Sequence, residues 1–265
     1  MKFAHALVVV SFVGVVAGCG STATDPVASK STTTSVVATS TTMGEHDMEQ
    51  HTPAPKPAKP LPVLANGLLD PKGVDLSGVK GVTAPQQQYA EKLLVDTIDL
   101  LPKWSKYEDA LANGYVTVGD EVTGEEHVIR WDLLNDNVFL DPAEPESLVY
   151  KVDNATGERT LEAAMFFMPD RFKLDNVPKR AGKLMQFHVH ADLCFLPPPS
   201  GRLGGFREVG NACPEGTNGL PNLMAHVWIR QNECGPFAAL RGVGGGQVKS
   251  GEEVSCLPDH GSRSL

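Results

Sequence analysis

Ser147-Leu-Val-Tyr-Lys-Val-Asp-Asn-Ala-Thr-Gly-Glu-Arg-Thr-Leu-Glu-Ala-Ala-Met-Phe-Phe-Met168 is the stretch that decides the fold. Ser147–Val152 is rich in β-branched and aromatic residues, and residues 160–168 form a second apolar run. Asn154-Ala-Thr-Gly157 lies between them and carries the residue types that reverse a chain. Two such runs flanking a turn predict an antiparallel hairpin. Toward the C-terminus, residues 183–195 and 223–230 predict two more strands, separated by loops full of Pro and Gly. Toward the N-terminus the period becomes helical. Thr83 and Pro85 open a helix whose apolar face holds Tyr89, Leu93, Leu94, Ile98 and Leu101, and Pro102 interrupts it. A shorter helix carries Trp104, Tyr107, Ala110 and Leu111 and stops at Asn113-Gly114. The expected fold is therefore α+β: a short helical N-terminal part packed on a mostly antiparallel sheet or small β-barrel. No internal repeat is visible.

The chain has 265 residues and a net charge of −9. Its first 62 residues hold four acids and four bases, so all of that charge sits on residues 63–265, which read as a single globular domain. A net-acidic surface repels phosphate backbones, which argues against nucleic acid as a partner. Residues 1–18 read as a signal peptide: Lys2 is followed by an apolar run too short to span a bilayer. Val16-Ala17-Gly18-Cys19 resembles the lipobox of bacterial lipoproteins, a resemblance confined to this leader. It implies cleavage before Cys19, a diacylglycerol on its thiol, and a lipid anchor on the extracytoplasmic side of the cell membrane. Residues 19–62 read as a tether. Thirteen of the residues 21–42 are Ser or Thr, and a proline run follows at 53–62. Between these parts, Met43, His46, Met48 and His51 are either soft ligands suited to Cu(I) or ordinary tether residues.

Four cysteines remain after Cys19: Cys194, Cys213, Cys234 and Cys256. An even number outside the cytoplasm predicts two disulfides. All three pairings stay open. Zinc bound by thiolates is the rival, although no two of these cysteines have the short gap common in such sites.

The chemistry-bearing residues are histidines. In Gln186-Phe-His188-Val-His190-Ala-Asp192, strand alternation puts His188, His190 and Asp192 opposite Met185, Phe187, Val189 and Ala191. In Leu223-Met-Ala-His226-Val-Trp-Ile229 it puts Met224, His226 and Trp228 opposite Ala225, Val227 and Ile229. If the two strands are neighbours, His188, His190 and His226 form a metal set, with His127 as a fourth ligand and Asp192 as an alternative one. A copper or zinc ion is the expected cofactor, ahead of iron. The bland alternative is a half-buried strand face whose histidines only satisfy hydrogen bonds. Glu144 and Glu146 form a carboxylate pair in what reads as a solvated loop, and His260 is a weaker candidate ligand. Gly242-Val-Gly-Gly-Gly246 lacks the Lys-Ser/Thr of a phosphate-binding loop.

Gly182 followed by His188-Val-His190 resembles the start of the first cupin motif, and Gly216, Pro221, His226 and Asn232 loosely resemble the second. The resemblance implies a β-barrel metal site. Cys194 and Phe195 stand where the cupin glutamate would be. His190-Ala-Asp192 with His226 is similar in order to the ligands of ferrous oxygenases. Gly114-Tyr115, Pro145-Glu-Ser-Leu-Val-Tyr150, His188-Val-His190 and Cys234-Gly-Pro-Phe-Ala238 resemble segments of uncharacterised exported bacterial proteins, which implies no known activity. Three function classes follow: capture or buffering of copper or zinc by a tethered domain, a cupin-like metalloenzyme, or a cell-envelope interaction domain without metal.

Overall fold

The computed structural model describes residues 56–190, 192–207, 210–220, 222–239 and Cys256. The leader, Cys19, the Met43–His51 set, Gly242-Val-Gly-Gly-Gly246 and His260 lie outside the described residues.

Helix α1 (Ala84–Leu100) starts where the sequence places it. The Thr83 hydroxyl accepts from the Gln86 N–H while the Gln86 side chain accepts from the Thr83 N–H, a reciprocal cap. Ala90, Leu93, Leu94, Thr97 and Ile98 form its buried face. At Pro102 the chain tightens into a 3-10 turn, Leu101–Trp104. Helix α2 (Tyr107–Ala112) then ends at Asn113, with Gly114 at φ +91°.

Nine strands follow among the described residues: β1 (Val116–Thr117), β2 (Glu125–Ile129), β3 (Ser147–Val152), β4 (Arg159–Phe167), β5 (Phe187–His188), β6 (Leu193–Phe195), β7 (Leu203–Phe206), β8 (Asn218–Gly219) and β9 (Met224–Trp228). Six form one antiparallel sheet in the order β1-β2-β3-β4-β9-β5, and three form another in the order β7-β6-β8. The predicted hairpin is β3–β4. The single strand predicted over 183–195 is a correction: Gly182, at φ +58°, opens a 3-10 turn. Only Phe187 and His188 pair with β9, after which the chain leaves the first sheet and enters the second as β6. Among the described residues the sheets do not close into a barrel, so the α+β antiparallel reading stands and the barrel form of it does not.

One face of the larger sheet meets the helices. Leu148, Tyr150, Ala164, Phe166, Ala225, Val227 and Ile229 join Leu93, Leu94, Ile98 and Leu101 in the main core. The other face carries Val149, Ala163, Met165, Phe167, Met224 and Trp228, packed with Phe195, Leu193 and Leu203 of the smaller sheet. A bulge keeps the two faces distinct along β4. Val149 pairs with Ala163 and Tyr150 with Leu161, so Glu162 is the extra residue. It lets Leu161 join the helical side and Ala163 the opposite side, although they are two positions apart.

Candidate metal centre

His226 lies at the centre of β9, between Met224 and Trp228 on the face away from the helices, and is 1% exposed. His188 is fully buried on β5, the neighbour of β9, so the two strands whose adjacency the sequence left open do pair. The His188 and His226 ring centres are 5.0 Å apart. His190, just past the end of β5, brings its ring to 5.2 Å from that of His188. His127, in the middle of β2, has its ring 5.8 Å from His226. Strands β3 and β4 stand between β2 and β9, a separation of about 14 Å in a flat sheet. Only a strongly curled sheet brings these two rings together, and the histidines line its concave side. The four histidines form one row: His127, His226, His188, His190.

Two imidazoles bound to one tetrahedral ion at about 2.0–2.1 Å have ring centres about 5 Å apart. Adjacent rings in the row have about that spacing. Among the described residues, however, no three His, Cys, Asp or Glu side chains are arranged to hold a metal ion. The His188 and His226 planes are 15° from parallel, and χ2 of histidine is a broad torsion about which each ring can turn. Asp192, only 7% exposed, follows on the same run of chain.

Burial holds the His226 imidazole well below its ordinary pKa, and the neighbouring His127 and His190 add to the effect. It is therefore neutral at pH 7, the form that ligates metals. Neither of its ring nitrogens has a hydrogen-bond partner of ordinary geometry among the described residues. His127 differs. Burial alone would lower its pKa, but the Asp120 carboxylate outweighs this through its charge and hydrogen bond, with Glu125 and Glu126 adding to it, and raises it. Asp120 Oδ2 lies 2.6 Å from His127 Nδ1, and Asp120 Oδ1 accepts from the His127 backbone N–H at 2.9 Å. A carboxylate on one ring nitrogen is the usual partner of a histidine that ligates through the other. Sequence reasoning missed Asp120. Its signal was weak: an acid seven residues before a histidine, across a turn at Gly124 with φ +89°.

Cys194 is bonded to Cys213 and Cys234 to Cys256, with Cα–Cα distances of 5.7 and 5.2 Å. Of the three pairings, the sequential one is realised, and no thiolate of these four remains for zinc. Glu146 is a second correction. It is 3% exposed rather than solvated, whereas Glu144 is exposed. Its Oε2 accepts from the Phe167 N–H at 3.3 Å, and burial raises its carboxyl to about 8.

No family model, no curated protein and no solved structure matches the chain significantly. Among the described residues, no helix is long and apolar enough to cross a membrane.

Proposed function

We propose that this protein captures or buffers a copper or zinc ion outside the cytoplasm, held to the cell membrane by a lipid on Cys19, with His226, His188, His190 and His127 as ligands. The observation that carries the reading is the row of four imidazoles spaced 5.0, 5.2 and 5.8 Å apart. Asp120 supports it by fixing the His127 ring, and two disulfides suit an extracytoplasmic address. A metalloenzyme built on the same ligands needs an open coordination position. The near-complete burial of His188 and His226 favours holding an ion over turning over a substrate.

The test is elemental analysis and metal titration of the purified, tag-free protein at neutral pH, beside His226→Leu. The parent should bind one copper or zinc ion per chain, and the variant should lose at least about a hundredfold in affinity, roughly 2.7 kcal/mol. A folded parent that binds neither ion refutes the proposal.

A further inference from the structure

Two methionines stand on the histidine face at positions that the strand register fixes. Met165 on β4 is the direct cross-strand partner of His226 on β9. Met224 on β9 is the direct partner of His188 on β5. Both are buried, at 4% and 2% exposure, and both belong to the apolar cluster on that side of the sheet together with Trp228. Directly opposed residues of an antiparallel pair have Cβ atoms about 4.5–5.5 Å apart. Each of the two most buried imidazoles thus has a thioether as its immediate lateral neighbour.

We infer that the site selects Cu(I) over Zn(II), with the Met165 and Met224 thioethers joining the imidazoles around the ion. This rests on the histidine reading above and adds the identity of the metal. Thioether sulfur is a soft, neutral donor that suits Cu(I), whereas Zn(II) draws its ligands from imidazole, thiolate and carboxylate. Thioethers also add no charge of their own, which suits a monovalent ion in a pocket shielded from water. The alternative is that the methionines only fill the core, as methionine often does. Exchange for leucine separates the two roles, because it keeps volume and apolarity and removes only the sulfur.

The experiment uses the full chain with its disulfides intact and ascorbate as reductant. Cu(I) affinity is measured anaerobically against a chromophoric Cu(I) chelator, and Zn(II) affinity separately, for the parent, Met165→Leu, Met224→Leu and the double variant. The parent should prefer Cu(I). Each single variant should lose about tenfold in Cu(I) affinity, or 1.4 kcal/mol, while Zn(II) affinity stays within about twofold. X-ray absorption at the copper edge should show sulfur around the ion in the parent and none in the double variant. Equal Cu(I) affinity in the parent and the double variant, or a parent that prefers Zn(II), overturns the inference and leaves the histidine reading standing. A parent that binds neither ion overturns both. Circular dichroism of each variant confirms that affinities are compared between folded proteins.

Discussion

Along β9 and the residue after it, Ala225, Val227 and Ile229 turn toward the helices, while Met224, His226 and Trp228 turn toward the smaller sheet. The first set meets hydrocarbon from α1 and from the helical side of β3 and β4. The second places the His226 imidazole in an equally dry environment. Six consecutive residues therefore feed the main core on one side and the proposed site on the other. Burying a polar ring costs stability, so the helical face has to supply the surplus that the histidine face consumes.

The widest contrast comes from Phe166→Ala. Phe166 is fully buried on the helical face, and its truncation should cost about 3–5 kcal/mol. Calorimetry should show a melting temperature lower by about 10 °C or more, while metal affinity at low temperature stays at the parental value. A comparable loss of affinity would show that the two faces are not separable.

Glu146→Gln probes the start of the ladder, just before β3. The folded carboxyl titrates at about 8, far above its ordinary 4.5, because it is buried. The folded state thus holds a proton that the unfolded chain has released, and the stability this contributes is present below 4.5 and lost as pH rises to about 8. Glutamine carries no such dependence. Urea melts should therefore show Glu146→Gln gaining on the parent by a few kcal/mol at pH 8 and by much less at pH 5. A pH-independent difference would mean that Glu146 is not protonated in the fold.

Asp120→Asn should give the smallest effect and the sharpest one for the site. Loss of the carboxylate behind His127 should weaken metal binding about tenfold to a hundredfold, read by titration, with little change in melting temperature. Unchanged affinity would remove His127 from the ligand set.

The β3–β4 hairpin was legible almost to the residue, because its alternation and its turn are both local. The same holds for α1, whose start is written in Thr83 and Pro85. Reading 183–195 as one strand failed for a physical reason: alternation shows which way side chains point, not which sheet a strand pairs with. The chain changes sheets between His188 and Leu193 without losing its apolar character. The adjacency of His188 and His226 was a conditional reading, and it needed the β5–β9 pairing to complete it. His127 enters the row through the curl of the sheet, a collective property of several strands that no local pattern records. Alternation already put Met224 on the His226 face, but its pairing with His188, and that of Met165 with His226, came only with the register.

Both disulfides close rings in the covalent chain, with sequence separations of 19 and 22 residues. A protease that cuts once between Cys194 and Cys213, or once between Cys234 and Cys256, breaks a peptide bond without dividing the molecule. The nicked protein keeps its mass, increased by one water, and its pieces separate on a denaturing gel only after reduction. In those two stretches, backbone damage by a protease does not release a fragment.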